Sequence, residues 1–109
     1  MTLAAEGVAR VDAKDHGAGT VRDNPEQQRF EMDTAEGPAV AHYRWDGDVM
    51  VIFHTEVPRE LHGQGFGEKL VRGVLDEVRR RKLKVVPMCW FVLEFVQRNP
   101  EYGDVMAHP

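Results

Sequence analysis

At 109 residues, with a net charge of −4 and one cysteine, the chain has the size of one domain and no means of forming an internal disulfide. The negative balance argues against a broad nucleic-acid-binding face. The longest uninterrupted apolar run, Val49 to Phe53, is far too short to cross a bilayer, so no membrane partner is expected.

The first residues lack the basic-then-apolar layout of a secretory leader, and a lone cysteine fits a reducing compartment, so the expected location is the cytoplasm. Residues 1–19 are small, polar and glycine-containing; they read as a flexible tail or as holding a short strand at Val8 to Val11. Residues 20–109 read as the single domain. Thr20 to Asp23 is a short strand, and Asn24-Pro25 a turn. Gln28 to Asp33 alternates, with Phe30 and Met32 on one side, as a strand does. After the turn at Glu36-Gly37-Pro38, Ala39 to Trp45 sets Ala39, Ala41, Tyr43 and Trp45 against Val40, His42 and Arg44. Asp46-Gly47 is a hairpin signal, and Val49 to Val57, rich in β-branched residues, is the return strand. The first half therefore predicts an antiparallel meander.

The hydrophobic period then changes. Leu70, Val71, Val74, Leu75 and Val78 fall on one helical stripe. The helix closes in Arg79-Arg80-Arg81-Lys82. This run reads as a solvated helix C-terminus, where the dipole favours cations, in preference to a patch for nucleic acid or an acidic partner. Lys84 to Met88 is a short strand with Pro87 near its end. Phe91, Val92, Phe95 and Val96 mark a second helix that Asn99-Pro100 stops, and Glu101 to Pro109 shows little pattern. The expected fold class is α+β: a mostly antiparallel sheet with two main helices. A right-handed β-α-β crossover from Val57 to Val85 would join neighbouring parallel strands.

Between meander and helix lies His54-Thr55-Glu56-Val57-Pro58-Arg59-Glu60-Leu61-His62-Gly63-Gln64-Gly65-Phe66-Gly67. Glycine at 63, 65 and 67 lets the backbone take positive φ and lets a ligand approach the main chain. The helix that follows begins with N–H groups that lack intrahelical partners. With the positive end of the helix dipole they make an anion site, and phosphate or pyrophosphate is its natural guest. A P-loop requires Gly-Lys-Ser/Thr, but Gly67 is followed by Glu68. A dinucleotide fold requires Gly-x-Gly-x-x-Gly and several parallel βαβ units, which the Gly-x-Gly-x-Gly spacing after a meander does not supply. Length and missing catalytic-loop motifs exclude a protein kinase.

His62-Gly63-Gln64-Gly65-Phe66-Gly67 resembles the coenzyme A pyrophosphate loop of GNAT-type N-acetyltransferases, usually Arg/Gln-x-x-Gly-x-Gly/Ala. Gly65 and Gly67 match the pattern, and His62 replaces its leading residue. With His54-Thr55-Glu56-Val57-Pro58, Val85-Val86-Pro87-Met88-Cys89-Trp90-Phe91-Val92 and Arg98-Asn99-Pro100-Glu101-Tyr102, the resemblance runs from Gln28 to Tyr102. It is to the very small YjdJ-type, NATD-like branch of that superfamily. It implies acetyl-coenzyme A as cofactor and N-acetyltransferase activity toward an amine on a protein or small molecule. It also implies a shortened GNAT-like fold without the C-terminal strands of longer members, and hence an open acceptor side. The main chain of Thr55, Glu56 and Val57 would pair with the pantetheine arm as a strand edge pairs with an added strand. Gly63, Gln64, Gly65, Phe66, Gly67 and Glu68 would hold the pyrophosphate. Because backbone groups do the holding, the site should survive His62, with weaker or pH-dependent affinity. Lys69 and Arg72 are candidates for the adenosine phosphates, although helix-surface cations are common.

Acetyl transfer needs the thioester held near its nucleophile and donors for the carbonyl oxygen. It also needs a proton taken from the amine and one given to the departing thiolate. Cys89 opens the second helix, a position that activates thiols. In the resembling family it is the proposed catalytic residue, as acetyl acceptor or as proton donor in place of the usual tyrosine; otherwise it is a small buried hydrophobe. His54 is a candidate general base, histidine titrating near neutrality, and shares a strand face with Glu56; the alternative is a structural histidine. His42 stands on the preceding strand, but two histidines with no further ligand spacing predict no metal. Tyr102 reads as a packing residue more than a distant acid, and Trp45, Trp90, Phe91 and Phe95 as core or cleft wall. The missing strands and absent tyrosine keep a second function open, a module that holds acyl-coenzyme A without efficient transfer.

Overall fold

The computed structural model describes residues 20–107; the expected tail and the strand at Val8 to Val11 lie outside the described residues. The elements run β1 (Val21–Asn24), β2 (Arg29–Met32), β3 (Ala39–Asp46), β4 (Val49–Glu56), a 3-10 turn (Arg59–Leu61), α1 (Phe66–Arg80), β5 (Lys84–Pro87), α2 (Trp90–Arg98) and a second 3-10 turn (Pro100–Val105). The five strands form one sheet in the order β1-β2-β3-β4-β5. The first four pair antiparallel, and β5 joins β4 in parallel after the α1 crossover. The fold is α+β, as the periodicities predict. Gly47 in the β3–β4 turn has φ 64, the left-handed conformation that a tight hairpin turn demands.

The core lies between one face of the sheet and both helices. Phe30, Met32, Ala39, Ala41, Tyr43, Met50, Ile52 and Val85 meet Leu70, Val71, Val74, Leu75 and Val78 of α1 and Val92 and Phe95 of α2. The return strand expected at Val49 to Val57 is present as β4, with one irregularity. Tyr43 pairs with Ile52, yet His42 pairs with His54, so Phe53 is an extra residue in β4. Such a bulge reverses the faces of everything beyond it. Met50 and Ile52 point into the core before it, and Thr55 points to the helix side after it. His54 and Glu56 consequently face outward, where both are exposed.

Three further expectations meet the structure. The arginines of the α1 C-terminus are surface groups engaged by the protein's own carboxylates: Arg79 forks on Asp104, Arg80 and Arg81 share Glu77, and Arg81 also reaches Asp23 of β1. Trp45 and Trp90 are not core, being 41% and 75% exposed, whereas Phe95 is fully buried. The patternless tail is an organised segment: Tyr102 and Val105 are buried, and Ala107 donates its N–H to the Val85 carbonyl at 2.8 Å. Among the described residues no helix is long and apolar enough to cross a membrane.

Candidate functional site

Two neighbours in the sheet part company at Ile52. Pairing of β4 with β5 ends at Ile52 and Pro87. The N–H groups of Met88 and Cys89 both donate to the Ile52 carbonyl, at 2.9 and 3.1 Å, and the chain turns into α2 with Cys89 at its N-cap. β4 continues to Glu56, so its last residues present an edge that β5 does not cover. A cavity of about 600 Å³ opens beside that edge. Its wall comprises Thr55 and Val57, Leu61 of the 3-10 turn, His62 and Gly63 after it, Gly65, Phe66, Gly67 and Glu68 at the start of α1, and Phe91 of α2.

The start of α1 is bare. Gly65 is its N-cap at φ 85, Gly63 precedes it at φ 81, and no side chain caps the helix. The first helical bond runs from the Lys69 N–H to the Gly65 carbonyl, 3.1 Å. The N–H groups of Phe66, Gly67 and Glu68 therefore have no partner within the helix. They lie in the cavity wall together with the positive dipole end. Gly63 and Gly65 use the positive φ that glycine permits, and Gly67 does not. A Cβ at Gly67 would stand 2.9 Å from Cζ of Phe91. Gly67 is a glycine because the Phe91 ring closes over it.

The side chains around the bare amides sort by what already holds them. His62 Nε2 donates to the Val57 carbonyl at 2.9 Å; a carbonyl only accepts, so this nitrogen carries the proton. Gln64 turns its amide back to the Glu60 carbonyl, 3.1 Å, and leaves the wall to its backbone neighbours. Glu68 lines the cavity while accepting from Arg98 at 3.0 Å. Lys69 lies 5.4 Å over the ring of Phe66. Arg72, the other expected cation, bonds Asn99 at 3.2 Å and covers the rings of Phe95 and Tyr102, so it is engaged elsewhere. Leu61 is a wall residue that the sequence reading left out; its one signal is an apolar residue inside the polar turn from Pro58 to Gly63.

Of the expected catalytic residues, Cys89 is half-buried, with Sγ 3.6 Å from the hydroxyl of Thr55. Thr55 is in the cavity wall, and Cys89, which contacts it, is not. The structure does not bring His54 to that side. Its Nε2 meets Glu56 at 3.0 Å on the outer face, and its ring stacks on His42 at 5.8 Å and 21°. Tyr102 is a packing residue whose hydroxyl donates to Asp76 at 2.7 Å; burial, then that bond, pushes its ionisation upward. Among the described residues no group of three or more His, Cys, Asp or Glu is arranged to hold a metal.

Comparison with known proteins gives a consistent picture. The family model described as GCN5-related N-acetyl-transferase matches residues 29–105. Protein NATD1 of Mus musculus is 31% identical over 87 residues, covering 75% of this chain and 79% of that protein. Protein NATD1 of Homo sapiens is 36% identical over 63 residues, covering 57% of this chain and 56% of its own length. The NMR solution structure of a GCN5-like protein from Staphylococcus aureus superposes with a TM-score of 0.62 at 29% identity, over 82% of this chain and 88% of that one.

Proposed function

This chain belongs to the GCN5-related N-acetyltransferase family, and from that premise we propose that it transfers acetyl from acetyl-coenzyme A to an amine. The observation that carries the reading is the bare start of α1. Unpaired N–H groups and two left-handed glycines face one cavity, and the uncovered edge of β4 leads into it. Backbone donors at a helix start suit a pyrophosphate, and a strand edge suits the amide-bearing pantetheine arm. Gly63, Gly65, Phe66, Gly67 and Glu68 serve through the main chain around the pyrophosphate, with Gln64 shaping the turn through its N–H on the Leu61 carbonyl, and Thr55, Glu56 and Val57 serve through the main chain along the arm.

The thioester then arrives beside Thr55, which Cys89 contacts, with the outer face of β4 in front. The amine comes from that outer face, which is open: Phe53, Met88 and Trp90 are exposed large apolar residues there or at the turn into α2. Nitrogen attacks the thioester carbon, the C–N bond forms and the C–S bond breaks. His54, held by Glu56, takes the amine proton, and Cys89 supplies one to the coenzyme thiolate. In the covalent variant the Cys89 sulfur accepts the acetyl group first and the amine removes it. The open side favours a protein segment or a bulky amine as acceptor.

Calorimetry with coenzyme A tests the cavity. Native protein should release heat, and Gly65→Val should abolish binding while circular dichroism stays native, because a β-branched residue is strained at φ 85. Binding retained in that variant would place the anion elsewhere. Labelled acetyl-coenzyme A then tests transfer. Turnover onto an amine should disappear in Cys89→Ala, and mass spectrometry of the exposed protein distinguishes acetyl-Cys89 from direct transfer. A second reading, a module that holds acyl-coenzyme A without transferring it, is favoured by one observation: Cys89 contacts the wall at Thr55 and is not part of it. Binding without turnover onto any amine would establish that reading.

A further inference from the structure

Glu68 is a carboxylate in a cavity otherwise suited to an anion. It belongs to the first turn of α1 and lines the cavity beside the bare N–H groups. An acid is favoured at a helix start, so it competes with an incoming phosphate for the same dipole and repels it as a like charge. The structure offsets this with Arg98, delivered by the last turn of α2. Arg98 Nη1 donates to Glu68 Oε2 at 3.0 Å, with both side chains about half exposed. This is the one side-chain hydrogen bond that Arg98 makes among the described residues. A guanidinium carries five N–H donors in a fixed fork, so most of its donors remain available. Neither of the other nearby cations is so placed: Arg72 is fastened to Asn99 and two rings, and Lys69 lies on Phe66.

We propose that Arg98 is a pyrophosphate ligand kept at the rim of the cavity by Glu68. In the empty protein the carboxylate cancels its charge and fixes its position. With the coenzyme bound, the guanidinium bridges Glu68 and a pyrophosphate oxygen, turning an unfavourable carboxylate–phosphate contact into a three-way charge-assisted arrangement. The assignment rests on the coenzyme reading above and supplies a side-chain donor where the leading Arg or Gln of the loop pattern has become His62.

The test is calorimetric titration of coenzyme A and dephospho-coenzyme A into native protein, Arg98→Gln, Arg98→Lys and Glu68→Gln, with melting curves for each. Arg98→Gln should weaken coenzyme A by about tenfold or more and flatten its salt dependence, as loss of a charge-assisted bond does. Arg98→Lys should recover part of the loss. Glu68→Gln should bind several-fold tighter, since the competing carboxylate is gone while Arg98 stays. The loss in Arg98→Gln should be equal for dephospho-coenzyme A; a loss confined to the full coenzyme would move the contact to the ribose phosphate and overturn the assignment. Equal losses of affinity and melting temperature in Arg98→Gln and Glu68→Gln would show a structural pair only. Native binding unchanged in Arg98→Gln overturns this proposal alone, whereas no binding by the native chain overturns the coenzyme reading with it.

Discussion

At Gly67 one absent methyl group sets the shape of the cavity. A Cβ there would meet Phe91 Cζ at 2.9 Å and Cε2 at 3.2 Å, closer than carbon atoms rest in packed proteins. In Gly67→Ala the helix tolerates alanine well, so backbone propensity favours the change. The ring has to yield, and the space beside it is the cavity it lines. We expect a stability change of roughly 1 kcal/mol, propensity and overpacking partly cancelling. Coenzyme affinity should fall much more, about tenfold, because the ring enters the binding space. Phe91→Leu in the same chain should recover the affinity. Melting curves and calorimetry check both halves, and an unaltered affinity in Gly67→Ala would show that the ring is not part of the wall. Gly65 works differently, through φ 85 with nothing within 4 Å of its missing side chain. The sequence pattern marks both glycines alike. Which one answers to its own backbone and which to a ring 24 positions later is visible only once α2 is folded against α1.

The element that ties site to scaffold is α1, bare at one end and heavily bonded at the other. Glu77 in its last turns accepts from Arg80 and Arg81. Those bonds, Arg80's first, hold its carboxyl down at about 2, against an ordinary value of 4.5. A depressed folded-state value means the unfolded chain binds a proton more readily. The contribution is therefore complete above about pH 4.5 and disappears as pH falls toward 2. Arg80 is largely exposed and screened by solvent, so the energy rests on Glu77 and the less exposed Arg81, whose pairing is worth roughly 1 kcal/mol after screening. Denaturant unfolding of native protein and Glu77→Gln should differ by that amount at neutral pH and converge near pH 2; a pH-independent difference would mean that packing, not charge, supplies the stability. The cation run at this terminus was legible in sequence, because cations and helix C-termini belong together. Its partners were not, since Asp23 and Asp104 approach only through the fold. The bulge in β4 was hidden for the same reason: Val49 to Val57 is uniformly strand-like, and only pairing with β3 reveals that Phe53 is extra. That one residue decides that Thr55 meets Cys89 and that His54 does not.

Across the whole molecule, the segment after α2 fastens separate elements to one another. Tyr102 and Val105 enter the core, the Tyr102 ring packs on Phe95 at 5.8 Å, its hydroxyl reaches Asp76 of α1, and Met106 forms a parallel bridge with Val85 of β5. Arg79 adds a bond to the Glu101 carbonyl, 2.8 Å. Three elements are thus stapled by a stretch whose sequence shows no periodicity, because a 3-10 turn is too short to display one. Removing a buried Tyr ring costs roughly 3–5 kcal/mol by analogy with other large core side chains, and exposing Val105 about 2 more. A domain of this size holds only about 5–15 kcal/mol in total. A chain ended at Asn99 should therefore lose its cooperative melting transition, whereas Tyr102→Phe, which keeps the ring and forfeits the bond to Asp76, should melt cooperatively at a lower temperature and still bind coenzyme A. A truncated chain that melted like the native one would reduce the segment to an accessory. The consequence reaches the site, because Cys89 and Phe91 stand at the start of the same α2 whose Phe95 rests on Tyr102. Loosening that ring should weaken the cavity wall in Tyr102→Ala before it unfolds the sheet, and amide exchange along residues 90–98 should rise earlier than exchange in β2 and β3.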